Sequence, residues 1–183
     1  MTILGRRALA FAALSVAAIG CSQPLTASPP AQALRGEAID PEFTLVITSP
    51  KATWRVEEAI VVQAELAYRG ALPELTIGGS GGGLIGFSVR ELGGDRRMDA
   101  VREADCAFFT ISPGQPITSS YRKSGTIDPG EPNEGFYRQF FADPLFHLPA
   151  GSWQVEAWAQ LNVGPECRGR TVDLRASLLI IVQ

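Results

Sequence analysis

Histidine is almost absent from this 183-residue chain: His147 is the only one, beside three cysteines and two methionines. A single imidazole excludes histidine-rich metal sites and every mechanism that needs two imidazoles. No C-x-x-C pair occurs, so neither a zinc ribbon nor a thioredoxin-like redox motif is encoded. An excess of positive charge is missing too. Lys+Arg number 16 against 19 Asp+Glu, a formal net charge of −3, which excludes a nucleic-acid binder that works by bulk charge. Beyond the N-terminal apolar run no stretch keeps a 3.6-residue hydrophobic period, so amphipathic helices are not expected. Apolar residues are abundant, at 45% of the chain, which supports a packed core and argues against wholesale disorder. The length suits one domain of ~100–200 residues, with room for an appendage.

Acidic residues are absent from positions 1–20, where Arg6 and Arg7 precede an apolar run, Ala8 to Ile19, broken only by Ser15. A positive start followed by ~7–15 apolar residues describes a secretory signal, and the run falls short of the ~20 residues that span a bilayer. It ends in Ala18-Ile19-Gly20-Cys21. This ending resembles the signal of bacterial lipoproteins, in which small residues precede a cysteine that is acylated before cleavage. Ala18 departs from the Leu, Val or Ile that the family usually carries there. The resemblance implies residues 1–20 as signal peptide, Cys21 as lipid attachment site and mature N-terminus, and a location on the cell membrane or outer membrane. The protein would then face the periplasm or exterior, with the membrane as its first partner. Ordinary secretory cleavage at Ala31-Gln32-Ala33 is the alternative. Loss of residues 1–20 would take the formal charge from −3 to −5, and two or three acyl chains would give stable anchoring where one is marginal.

With Cys21 acylated, Cys106 and Cys167 are left as a pair in an oxidising compartment, where disulfides persist. Such a bridge would close a loop of about sixty residues and stabilise the fold by ~4 kcal/mol in the chain-entropy model. Two buried free thiols are the alternative.

Residues 21–41, rich in Pro, Ala and Ser, read as a flexible tether with an r.m.s. span of ~25 Å. From residue 42 the pattern turns to period two, the mark of half-buried strands. Phe43, Leu45 and Ile47 alternate with polar neighbours, as do Val62 to Tyr68, Ile85 to Val89 and Trp153 to Leu161. Val172 to Val182 make the last strand, and Cys106 to Ile111 a shorter one. Gly93-Gly94 signals a hairpin with a return near Arg97–Arg102. Residues 42–183 are therefore expected to form an all-β antiparallel sandwich of about seven to nine strands, with a closed barrel as the alternative. Leu148-Pro149-Ala150-Gly151-Ser152-Trp153-Gln154-Val155 is similar to the L-x-x-G-x-Y-x-V entry into the penultimate strand of immunoglobulin-like domains. That resemblance covers Leu148 to Val182 and implies an Ig-like fold. Trp153 replaces the tyrosine, so the phenol hydrogen bond of that corner is not expected.

Candidate sites are few. Gly81, Gly83 and Gly86 satisfy G-x-G-x-x-G, but a strand pattern follows where a dinucleotide site needs a helix N-terminus. A mobile inter-strand loop is the plainer reading, with Gly81 and Gly82 as a possible binding surface. His147 lacks a poised nucleophile nearby in sequence and reads as a packed or surface imidazole. Asp128 to Glu134 offers clustered oxygens that calcium favours, yet its prolines and spacing also suit a solvated turn. Phe136 to Phe141 combines aromatics with an arginine, as binding hot spots do, so Tyr137 and Arg138 are candidates. The same composition suits a core strand. Trp158 falls on the polar side of its strand and is a further candidate contact, unless a second layer covers it.

No catalytic constellation and no cofactor motif emerge. The expected function is a membrane-anchored, noncatalytic interaction module whose partner is an envelope protein, peptide or glycan rather than nucleic acid. A small β-sandwich hydrolase or carbohydrate-active domain is the first alternative, requiring carboxylates that converge near an exposed Trp158. A protease-inhibitor-like Ig domain is the second, requiring a rigid exposed loop.

Overall fold

The computed structural model describes residues 33–127 and 129–183. The expected signal peptide, Cys21 and most of the expected tether lie outside the described residues, as does Asp128.

Two sheets pack face to face as a β-sandwich. The smaller has four strands in the order β1 (Leu34–Ile39), β2 (Phe43–Ser49), β4 (Gln63–Tyr68) and β9 (Ile117–Ser120). The larger, of seven strands, runs β3 (Thr53–Trp54), β11 (Arg170–Val182), β10 (Gly151–Val163), β5 (Leu75–Gly79), β8 (Ala107–Ile111). In it β6 (Ile85–Glu91) pairs with β10 and with β7 (Arg97–Met98). All pairings are antiparallel except β3 with β11, where Thr53 and Trp54 run parallel to Ile181 and Val182.

Period-two patterning explains the core. Phe43, Leu45 and Ile47 of β2 and Ala64, Leu66 and Tyr68 of β4 point inward, against Trp153, Val155, Ala157, Ala159 and Leu161 of β10. Val172 through Val182 bury every second residue of β11 on the same side. The alternate residues of β10 and β11 therefore form the outer face, and a slip of one residue would exchange the two sets.

Several expectations need correction. The ordered domain begins earlier than residue 42, because Leu34–Ile39 pairs along β2 from Leu34↔Ser49 to Ile39↔Thr44. Leu34 and Ala38 alternate with Arg35 and Glu37, a pattern too short to stand out beside the proline-rich segment. The strand count also exceeds the expected range, since β1, β3, β5 and β9 were not anticipated. The return after Gly93-Gly94 is only Arg97–Met98, closed by the Glu91 N–H donating to the Arg96 carbonyl at 2.9 Å.

The largest correction is helix α1, Glu134–Ala142, where the sequence suggested a strand or a binding surface. Phe136, Arg138 and Phe140 read equally well as alternation, but Tyr137 and Phe140 are the residues buried, three apart on one helical face. Arg138 points away and pairs with Glu134 one turn earlier at 2.5 Å. Pro144 follows Asp143, which sits in extended conformation and ends the helix. The helix plugs one end of the sandwich with aromatics: Phe136 stacks near Trp153, Phe140 meets Phe146, and Phe146 stacks on Tyr121 at 3.9 Å. Burial raises the Tyr121 phenol far above its ordinary value.

Candidate functional site

Trp153 and Trp158 share β10 but point to opposite faces, and their surroundings differ accordingly. Trp153 is completely buried, and its indole N–H donates to the Pro149 carbonyl at 3.0 Å. The phenol hydrogen bond of a tyrosine corner is absent, as Trp153 implies, and the indole N–H makes a bond of its own to the backbone four residues earlier. Trp158 lies half-buried on the outer face, which is open to solvent: Arg175 opposite it on β11 is exposed.

Register arranges that face in rows across β11, β10 and β6. Leu179, Gln154 and Arg90 form one; Ser177, Glu156 and Ser88 the next; Arg175, Trp158 and Gly86 the third. Gly86 is what lets the indole lie against the sheet, since a Cβ there would fall 2.2 Å from Trp158 Cζ2. This is the close approach that a glycine in a strand often marks. Arg102, from the segment after β7, places its guanidinium 5.9 Å from the Trp158 ring centroid and reaches the Gln160 carbonyl at 3.5 Å.

Four arginines stand on or beside this face, and their partners are unequal. Arg97 pairs with Asp99 at 2.6 Å, which raises its pKa above the ordinary value. Arg175 bridges Glu156 at 3.1 Å and Asp173 at 3.4 Å. Arg90 meets only the neutral Gln154 side chain, at 2.9 Å, and Arg102 only a backbone carbonyl. Among the described residues, no carboxylate pairs with either. Two hollows flank Trp158 along β10. One of ≈190 Å³ is lined by Arg90, Gln154, Glu156 and Arg175; the other, of ≈320 Å³, by Arg102, Glu103, Asp105 and Asn162.

The second hollow is bordered by Cys106 and Cys167, which are joined as a disulfide with Cα atoms 6.0 Å apart. Cys106 precedes β8, and Cys167 lies in the 3₁₀ turn Pro165–Cys167 between β10 and β11. The strand between them is β5, and the bridge passes over Gly78, where a Cβ would meet Cys167 Sγ. The bond therefore staples the outer side of the seven-stranded sheet across one strand.

The other candidates resolve differently. Gly81 and Gly82 are exposed, and their segment between β5 and β6 forms a hydrogen-bonded turn. Gly83 N–H donates to the Ser80 carbonyl at 3.0 Å, and Gly81 N–H to Asp105 Oδ1 at 2.9 Å. Gln160 and Leu161 of β10 are faced by Gly79 through Leu84, so the glycines form an excursion from an otherwise continuous line of pairing, β5 into β6. Tyr137 is not a surface residue: it is buried, and its hydroxyl accepts from Arg97 N–H at 3.1 Å. Arg138 is exposed but held by Glu134. That glutamate also accepts from Gly130 N–H at 3.0 Å, and the two contacts lower its pKa, the amide foremost. Among the described residues no group of three or more His, Cys, Asp or Glu side chains is placed to hold a metal.

His147 Nδ1 lies 2.6 Å from Asp143 Oδ2, and this contact is the main reason the Asp143 carboxyl titrates below its ordinary range. Lys123 Nζ donates to the Phe140 and Asp143 carbonyls at the C-terminus of α1, at 2.5 and 2.8 Å. Both groups hold the helix in place. The sequence signal that Arg90, Arg97, Arg102 and Arg175 share a face was out of reach, because three separate strands and a loop deliver them.

Compared with known proteins, the chain matches no family model, and no curated protein matches it. Among the described residues no helix is long and apolar enough to cross a membrane.

Proposed function

We propose that the chain is a lipid-anchored, extracytoplasmic binding module that performs no chemistry of its own. The anchor rests on Arg6-Arg7, the apolar run to Ile19 and the Gly20-Cys21 ending. Placement outside the cytoplasm is supported by the Cys106–Cys167 bridge, because such bonds persist in oxidising compartments. The observation that carries the binding reading is the outer face of the seven-stranded sheet. A half-buried indole lies there among hydrogen-bonding side chains, with Arg90 and Arg102 paired to no carboxylate among the described residues.

Metabolic labelling with a palmitate analogue tests the anchor. The wild-type chain is expected to incorporate label and sediment with membranes, whereas Cys21→Ser loses both. A Cys21→Ser protein that stays with membranes at the wild-type level overturns it.

A carbohydrate-active domain is the second reading, favoured by Glu156 and Asp173 lying beside Trp158. Both carboxylates converge on Arg175 instead of on an open cleft, so each already has a cation. That arrangement suits a ligand-positioning network better than a pair of catalytic acids.

A further inference from the structure

We infer that the Cys106–Cys167 bond is a redox latch. Closed, it pins a strap, residues 99–106, over the Trp158 indole; opened by a dithiol, it lets the strap leave. The inference deepens the binding reading above, since it says what governs access to that face, and it rests on that reading for the purpose of the opening.

The strap has little else to hold it. It links β7 to β8, and among the described residues none from Asp99 to Asp105 makes a main-chain to main-chain hydrogen bond. Val101 through Cys106 are all exposed. Contact with the rest of the sheet is made by side chains: Asp105 Oδ1 accepts from Gly81 N–H at 2.9 Å, and Arg102 donates to the Gln160 carbonyl at 3.5 Å. The Trp158 ring lies between Gly86 and the Arg102 guanidinium, so the strap supplies the cover of the indole. A segment with so few main-chain bonds and so much exposure belongs to the low-stability end of a fold. The covalent bond at its C-terminal end is what opposes its release.

The other end of the bond is strained. Glu166 and Cys167 adopt φ values of 54° and 52°, left-handed backbone that L-residues other than glycine take at a cost. Their turn is pinched by Gly164 and Gly169, where a Cβ would fall 2.3 Å from the Arg168 carbonyl oxygen and 2.5 Å from that of Val163. Opening the bond frees both residues from that conformation, and strained or exposed bridges are the ones that exchange readily. Cys167 Sγ lies against Gly78, whereas Cys106 is exposed beside an open hollow of ≈320 Å³. A thiolate of the dithiol attacks Cys106 Sγ; the S–S bond breaks, and its electron pair leaves on Cys167 Sγ, which takes up a proton. The second thiolate then displaces Cys106 Sγ from the mixed disulfide. The protein gains two electrons and two protons, and the dithiol loses both in closing its own disulfide. Ile77 of β5 and Ile111 of β8 are buried in the core, so the opening is confined to the strap and the turn. In an oxidising compartment the latch rests closed.

Dithiothreitol is the probe, applied to the full chain without denaturant. Thiols formed at Cys106 and Cys167 are located by peptide mass after alkylation with iodoacetamide. The bond is expected to open while the far-ultraviolet circular dichroism stays that of the oxidised sandwich. Trp54 and Trp153 are buried, so acrylamide quenching reports chiefly on Trp158, and it should increase on reduction. Trypsin should cut after Arg102 severalfold faster, and oxidised glutathione should restore both readings. Cys106→Ser, which cannot form the bond, should give the reduced readings with no reductant present. Trp158→Phe should lose the change in quenching and keep the change in cleavage. Reduction that proceeds only as the circular dichroism is lost overturns the inference, because the bond then holds the whole fold rather than a strap. So does a reduced protein whose quenching and cleavage equal those of the oxidised one. None of these readings involves a ligand, so failure of the latch and failure of the binding reading are told apart.

Discussion

The outer faces of the two sheets both carry polar residues and hollows, yet they differ in the side chains that stand on them. The four-stranded sheet presents the larger hollow, ≈430 Å³, lined by residues such as Val46, Thr48, Gln63, Glu65 and Thr118. Like the two hollows of the other sheet, it has no aromatic among its lining residues, and its arginine, Arg35, is matched by Glu37 at 2.9 Å. The seven-stranded sheet has the smaller hollows, but beside them stand the Trp158 indole, the Cys106–Cys167 disulfide, and Arg90 and Arg102, which pair with no carboxylate among the described residues. Size does not distinguish these faces; the pairing state of the charges and one aromatic do. An exposed ion pair such as Arg35–Glu37 contributes only about 0–1 kcal/mol, so it adds little to the stability of its sheet.

The sharpest way to break this contrast is to remove the staple that only the seven-stranded sheet carries. Replacing Cys106 and Cys167 together by serine is expected to lower stability by about 2–5 kcal/mol, read as a shift in the urea midpoint. A midpoint unchanged from wild type would mean that the bridge adds nothing to the sheet. A smaller effect is expected from Gly86→Ala, whose new methyl group collides with the Trp158 ring. Overpacking of this kind costs about 1–3 kcal/mol, and the indole must leave the sheet, with a change in its fluorescence. In a Trp158→Ala background the same substitution should cost almost nothing, since the two residues are in contact and their effects do not add. Additive costs would show that Gly86 is required for some other reason, and the flat indole would lose its explanation.

The smallest effect lies at the helix-capped end, away from both faces. His147 holds the Asp143 carboxyl below its ordinary range, so the folded state favours the ionised form more than the unfolded chain does. That contribution is full above the unfolded carboxylate pKa of ~3.9 and is lost as pH falls through the lower folded value. Asp143→Asn should therefore flatten the acid limb of the stability profile slightly while leaving the near-ultraviolet circular dichroism at neutral pH unchanged. A steeper acid limb in the variant would reverse the sign and refute the assignment.

How far the sequence could be read depended on how long each pattern ran. β10 and β11 alternate over thirteen residues each, and alternation of that length admits no helical reading. β6 and the Gly93-Gly94 hairpin were legible from turn chemistry. β5 was hidden because Leu75-Thr76-Ile77 runs into Gly78-Gly79, and glycine says loop unless something packs on it. Here the disulfide packs on Gly78. α1 was misread because nine residues hold only about two turns, and in Phe136–Phe141 the two periods coincide. Its signals were present in Asn133, Glu134 and Pro144, which mark a helix start, an acidic first turn and a stop.

The site was legible only in part. Trp158 announced itself by sitting on the polar side of a strand, and Gly86 by interrupting one. Arg102 and Arg175 gave no sign, and Tyr137 is turned into the core by its helix while Arg138 stays exposed beside Glu134. Local periodicity in the sequence determined the all-β class, the inward and outward sets of the long strands, and the availability of Cys106 and Cys167 for a bridge. The tertiary structure decided which strands became neighbours, and hence that Trp158 rests on Gly86, that Cys167 crosses Gly78 and that Arg102 stands over the Trp158 ring. Side-chain period is a property of a single strand, while register and strand order come from burying all the apolar faces at once.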